Sequence, residues 1–223
     1  MLTAFKFGLD KFDSLNYPNF EPLEIDLLLN QAQDRFVKQR YGSTNTKRQS
    51  FEETQKRTDD LKNVVKSAIL TPLANQILNK PNGVFIQLPT DYWFALNEEC
   101  DLQYTNCNNT LTTTRPGIKP IQHDDYNKTI KDPFNKPWEE EVVRLESDTY
   151  IELITADNQT IQTYYLRYIK KPVRIDSVSS TNVNCELSDH AHQEIVDMTI
   201  AIALEGIEAR RQQTFNNINN TNE

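Results

Sequence analysis

Few residues in this chain have the type and spacing that chemistry needs. Its histidines are His123, His190 and His192, and its cysteines are Cys100, Cys107 and Cys185. His190-Ala191-His192 has the look of a metal pair, but on a helix residues i and i+2 point roughly 200° apart and cannot chelate one ion. Adding Cys185 gives C-x4-H-x-H, which matches no zinc spacing and lacks a fourth ligand. Ser188, Asp189 and His190 are neighbours whose side chains diverge, whereas a nucleophilic triad must converge. His123-Asp124-Asp125 is acid–base in composition, yet no nucleophile or oxyanion donor lies near it in sequence. Glu98-Glu99 and Glu139-Glu140-Glu141 read as solvated faces at element edges. The five glycines (Gly8, Gly42, Gly83, Gly117 and Gly206) are never closer than 34 residues, which excludes Gly-rich phosphate cradles. The reading is of a protein that is not an enzyme, with no catalytic residue, no metal and no cofactor.

Composition narrows the class further. The chain has 223 residues, a formal charge of −8 and only 37% apolar residues, with 9% aromatic. Its mean hydropathy is −0.67 and its isoelectric point is about 5.0. These are values of a soluble globular protein poor in core-forming residues. Three cysteines without CxxC spacing argue against a disulfide framework and fit a reduced compartment. The first ten residues contain no uninterrupted apolar stretch of the secretory type. The longest near-apolar run, Met198 to Leu204, falls far short of the roughly 20 residues of a membrane span. Sequons at Asn108, Asn127, Asn158 and Asn219 follow from an Asn- and Thr-rich composition. One basic cluster, Arg167, Lys170, Lys171 and Arg174, is interleaved with Tyr164, Tyr165 and Tyr168, a composition shared with single-strand nucleic-acid platforms. It defines the alternative reading, a regulatory protein that binds single-stranded nucleic acid. Against it stands the acidic balance of the whole chain.

The elements that would position these residues follow from periodicity. Ile25, Leu28, Leu29, Ala32 and Phe36 fall on one helical face, with Pro22 in the first turn and Gly42 as the stop. Ser50 and Glu53 form a capping-box pattern opening a second helix, with Leu61, Val64, Val65 and Ala68 as its stripe. Val84–Leu88, Arg144–Thr155 and Thr163–Ile175 read as strands, the last covered on two faces and, at Pro172, either at an edge or bulged. Trp93–Leu96 is too short to assign. Ser188 to about Arg211 reads as a long helix with apolar residues on two faces: Ile195, Met198 and Ile202 on one, and Val196, Ile200, Ala203 and Ile207 on another. Such a helix exceeds what so sparse a core can cover, so part of it is expected to meet another subunit. The stretch from about 104 to 138, with Pro116, Pro120, Pro133 and Pro137, reads as an extended arm. The expected fold is α+β: an N-terminal helical hairpin, a small antiparallel sheet and a long C-terminal helix. One domain covers 1–215 and a disordered tail covers 216–223.

Several segments together resemble a known family, the head–tail connector or ring proteins of tailed bacteriophages, and most of all those of crAss-like phages. The opening run Phe20-Glu21-Pro22-Leu23-Glu24-Ile25-Asp26 through Arg40-Tyr41-Gly42 is similar to their first helix, followed by Ser50-Phe51-Glu52-Glu53. Leu88-Pro89-Thr90-Asp91-Tyr92 resembles a step seen in adaptor proteins, and Asp132-Pro133-Phe134-Asn135-Lys136-Pro137 a proline-rich arm. The most specific part is Tyr165-Leu166-Arg167-Tyr168-Ile169-Lys170-Lys171-Pro172, followed by Cys185-Glu186-Leu187 and His192-Gln193-Glu194-Ile195-Val196.

The resemblance implies a structural virion protein. It would form a ring of twelve copies, bind the portal protein and further tail ring proteins, and surround the channel through which double-stranded DNA passes. The residues suit such a role. A ring subunit buries surface against two neighbours by a heterologous contact, and the candidate interface residues are Phe134, Trp138, Tyr164, Leu166, Tyr168, Ile195, Met198, Ile202 and Ile207.

Overall fold

The computed structural model describes residues 1–12, 20–42, 52–73 and 80–206. They divide into two compact units, Met1–Val64 with Lys171–Glu223, and Val65–Lys170.

The first unit is helical. It contains α1 (Leu2–Phe12), α2 (Pro22–Tyr41), α3 (Gln55–Leu61), a 3-10 turn at Lys62–Val64, a second at Asp189–Ala191, and α5 (His192–Gly206). α2 begins where expected: the Glu21 N–H donates to the Glu24 carboxylate over 2.9 Å, satisfying a donor the helix leaves free. Ile25, Leu29, Ala32 and Phe36 are its buried face. Gly42 ends it with φ −73°, so its freedom at positive φ is not used. α1 supplies the cover that the sequence reading did not foresee. Leu2, Phe5 and Leu9 share one face, and Phe5 and Leu9 pack with Ile25, Leu29, Val196, Ile200 and Leu204 in one core. That core buries one of α5's two apolar faces, the one of Val196, Ile200 and Ala203.

Polar side chains complete this unit. Asp26, Asn30 and Gln33, one or two turns apart on α2, grip the extended segment 173–177. Gln33 Nε2 donates to the Val173 carbonyl at 3.1 Å, and Asn30 both donates to the Ile175 carbonyl at 2.9 Å and accepts its N–H at 2.7 Å. Asp26 accepts the Ser177 N–H at 2.7 Å. Ser188, expected to cap the last helix, instead donates its hydroxyl to the Asp59 carbonyl at 2.8 Å.

The second unit is a mixed eight-stranded sheet curled into a half-barrel. Its strands are β1 (Val65–Leu70), β2 (Gly83–Gln87), β3 (Tyr92–Thr105), β4 (Leu111–Thr114), β5 (Gly117–Pro120), β6 (Glu141–Ser147), β7 (Tyr150–Ile154) and β8 (Gln159–Lys170), with α4 (Tyr126–Lys131) between β5 and β6. The order is β1-β8-β3-β5-β6-β7-β2, with β4 on β3; β5 and β6 are parallel and the other pairs antiparallel. The β3–β8 register shifts three times, with an extra residue on β3 at Tyr92/Phe94 and Ala95/Asn97 and on β8 at Asp101/Leu102, irregularities of the kind that bend and twist long strands. Inside lie Ile86, Leu102, Ile151, Leu153, Tyr164, Leu166 and Tyr168.

This overturns the expected fold of a helical hairpin, a small antiparallel sheet and a long C-terminal helix. The sheet is large and mixed, with eight strands curled into a half-barrel that dominates its unit, and among the described residues α5 runs for 15 residues against 20 in α2. Val65 and Ala68 do not continue a helix. They stand on β1, opposite Ile169 and Leu166 of β8, because a short apolar run takes strand form wherever a partner strand is available. Nor is β8 an edge strand, since β1 and β3 flank it and it ends at Lys170, before Pro172 can interrupt a ladder. The expected helix start at Ser50, the helix beyond Gly206 and the tail at 216–223 lie outside the described residues.

Five non-glycine residues hold positive φ: Asn82, Asn109, Asp148, Asn158 and Asn182, while no described glycine does. In a chain with five glycines, asparagine supplies the left-handed turn positions, as its short polar side chain permits. No helix among the described residues is long and apolar enough to cross a membrane.

Candidate assembly surface

A parallel strand pair cannot be closed by a tight turn and needs a crossover of a dozen residues or more. The proline-rich stretch is that crossover. It leaves β5 at Pro120, forms α4, turns at Asp132–Asn135 and returns into β6 through a bridge between Trp138 and Glu141. α4 lays Tyr126 and Ile130, with Ile121, on Val143, Leu145 and Ile154 of the sheet. Pro137 is buried where the chain comes back.

The turn that follows α4 is fixed by one side chain. Asp132 accepts the Phe134 N–H at 3.0 Å and the Asn135 amide, while its own carbonyl accepts the Lys136 N–H at 3.0 Å. The bond from the Phe134 N–H, then that from Asn135, holds the Asp132 carboxyl below the usual aspartate range. Pro133 fixes its own φ within the same turn. The result is a rigid knob whose tip, Phe134, is 94% exposed, with Trp138 51% exposed beside it. Next to the knob, a groove of about 610 Å³ runs between the crossover and the β7–β8 turn, lined by Pro81, Tyr126, Ile130, Trp138, Ile154 and Ala156. Lys136, Glu139 and Asp157 line it as well.

The remaining interface candidates fall elsewhere. Tyr164, Leu166 and Tyr168 point into the sheet's own core, and Ile195 is fully buried. Met198 and Ile202 are half-buried on α5, and Ile207 lies outside the described residues. The groove residues Ile154 and Ala156 carried no sequence signal, because only the fold brings the β7–β8 turn beside the crossover. The knob did carry one: Asp-Pro-x-Asn is turn chemistry.

No chemistry assembles around the polar candidates. Nε2 of His190 faces Asp60 Oδ1 at 2.9 Å, that of His192 the Leu187 carbonyl at 3.1 Å, and that of His123 the Glu146 carbonyl at 2.7 Å. Among the described residues no cluster of His, Cys, Asp and Glu could hold a metal. Burial pushes the Cys100 thiol up to about 12 and also raises Cys185, which disfavours the thiolate at both. The tyrosines expected to offer stacking faces are also committed. Tyr164 donates to Glu98, Tyr168 donates to Asp91 at 2.9 Å, and the Tyr165 ring is covered by the Arg115 guanidinium at 4.3 Å. Burial, then Glu98, raises the Tyr164 hydroxyl far above its ordinary value, so it stays a donor.

What the described residues present to solvent here is a large apolar side chain held on a hydrogen-bonded turn. A profile of the family described as phage tail ring protein 3/4 matches residues 3–217. The chain belongs to that family and is a structural ring protein of a phage virion. It is similar to two proteins of Bacteroides phage crAss001. One is ring protein 4/5, 26% identical over 207 residues that cover 83% of each chain. The other is ring protein 3, 27% identical over 194 residues that cover 81% of this chain and 83% of the relative.

Proposed function

We propose that residues 1–215 act as one connector subunit, twelve copies of which close into a ring. The ring joins the portal vertex to the tail and surrounds the channel through which double-stranded DNA leaves. Its neighbours along the axis are the portal protein and further tail ring proteins. The observation that carries this reading is Phe134: a large apolar side chain held in water on a hydrogen-bonded turn costs solubility unless a partner covers it. A charge of −8 per copy suits a conduit, because a negative wall repels phosphates and lets the genome slide. Quantitative mass spectrometry of purified virions tests the reading. A fixed ratio to the portal protein is expected, equal if both rings hold twelve copies, and absence from particles would overturn it. A channel lined mainly by Lys and Arg would overturn the conduit part alone.

A further inference from the structure

We infer that the Phe134 knob of one copy seats in the groove between the crossover and the β7–β8 turn of the next copy, and that this is a contact that closes the ring. The inference rests on the ring reading above and deepens it by naming the two surfaces that meet.

Three observations support the pairing. The knob and the groove are different surfaces of the same unit, and a contact between unlike patches of identical chains is heterologous, the kind that generates rings. Their shapes suit each other: a single protruding phenylalanine faces a concavity of about 610 Å³ floored by Tyr126, Ile130 and Ile154 and walled by Pro81 and Trp138. Aromatic anchors in such pockets carry most of the energy of an interface. Their charges also match. Lys119 and Lys128 stand close enough to act on the Asp132 carboxyl at the base of the knob, whereas Glu139 and Asp157 line the groove, with Lys136 where the two surfaces meet. Opposite charges around an apolar centre fix the register and speed encounter. The turn through Asp132 already holds the knob in place, so little ordering entropy is lost on docking.

The test uses the full chain with the exposed Cys107 replaced by serine. One preparation carries Phe134→Cys and another Ala156→Cys, and the two are mixed under mild oxidation. The pairing requires a disulfide-linked dimer in the mixture that neither preparation gives alone. It must also exceed the dimer formed when Phe134→Cys is mixed with Thr110→Cys, which places the thiol at the exposed β3–β4 turn. In parallel, Phe134→Ala should weaken self-association roughly 30-fold in sedimentation, as loss of a central anchor does, with thermal unfolding unchanged because the side chain supports no core. Equal crosslinking at the control position, a chain that stays monomeric, or Phe134→Ala that associates normally would each overturn the pairing. The virion measurement is independent. A chain present in particles at a fixed ratio but without the crosslink keeps the ring reading and loses this contact; a crosslink from a chain absent in virions does the reverse.

Discussion

The two units join their elements by different means. In the sheet unit the main chain does the joining: strands distant in sequence are bonded rung by rung, and among the described residues buried charge is limited to Glu152 and Lys170, with the nearly buried Glu98–Arg144 pair beside Tyr164. The helical unit has no ladder between its elements, and side chains take over. Arg40, 1% exposed, bonds Asp60 through Nε at 2.9 Å and Glu194 through its terminal nitrogen, linking α2, α3 and α5. Lys56 adds a 2.8 Å contact to Glu194, and His190 a 2.9 Å contact to Asp60. The difference explains how a chain with 37% apolar residues folds at all. Where backbone pairing is unavailable, buried polar groups take the place of missing apolar area, and each must be satisfied to be tolerated.

The comparison breaks first at Arg40. Arg40→Ala leaves Asp60 buried beside a cavity, and removing one partner of a buried ion pair costs about 3–5 kcal/mol. Urea unfolding of the full chain should show a loss of that size, with amide exchange rising in α2, α3 and α5 while β3 and β8 stay protected. A loss below about 1 kcal/mol would mean that the apolar core alone holds the helices.

The counterpart in the sheet is smaller. Tyr164→Phe removes one hydrogen bond to a carboxylate, and Glu98 keeps Arg144 at 2.6 Å, so the expected cost is about 1.5–3 kcal/mol. Because the phenol stays neutral up to strongly alkaline pH, this difference between variant and parent should not change between neutral pH and mildly alkaline conditions. A cost equal to that of Arg40→Ala would erase the distinction between the units.

What the sequence made legible follows the same division. α2 and the strand at Val84–Gln87 are written locally, in caps, periodicity and flanking breakers, and both were readable. α1 carried its pattern in Leu2, Phe5 and Leu9 but was weighed only as a leader peptide. Without it, part of α5 was expected to meet another subunit, whereas in the fold α1 and α2 pack on its Val196, Ile200 and Ala203 face. Asp26, Asn30, Gln33 and Arg40 are polar and buried, so a search for apolar stripes passed over the residues that hold the helical unit together. In the sheet, alternation along β8 shows which side chains turn inward, but not whether strands flank it. That depends on β1 and β3, which local pattern could not pair with it. Of the candidate assembly surface, the turn that exposes Phe134 has a local pattern in Asp132-Pro133-Phe134-Asn135. The groove has none, since it exists only after β7, β8 and the crossover are brought together.

Glycine scarcity supplies a third test, on the sheet side. Asn158 holds φ 62° in the turn between β7 and β8. Asn158→Ala puts a β-carbon into the left-handed region without asparagine's local bonding and should cost about 1 kcal/mol, whereas Asn158→Gly should fall within a few tenths of the parent. Thermal unfolding of the two variants measures the gap. Equal losses would show that the side chain's hydrogen bonding, rather than its backbone tolerance, is what the turn needs.

The smallest effect concerns a carboxylate of the sheet unit that, unlike Asp60, lies at the surface. Asp132 is held below the ordinary aspartate value of 3.8, chiefly by the Phe134 N–H. A group whose pKa is depressed in the folded state adds stability above its unfolded value and loses it as the pH falls through the folded one. The turn should therefore stay formed from neutral pH down to about 3.8 and loosen only below it. Amide exchange at Phe134, corrected for its intrinsic pH dependence, reads this directly. Asp132→Asn keeps a side-chain acceptor and should show little of the acid step; Asp132→Ala should be loose at every pH, with global stability nearly unchanged in both. If the knob pairing is right, Asp132→Ala also weakens self-association, by less than Phe134→Ala does, because it costs the anchor its preorganisation and leaves its contact area intact. An Asp132→Ala chain that associates as tightly as the parent would show that the docked knob needs no prior fixing, and would leave the buried carboxylates of the helical unit as the ones on which structure depends.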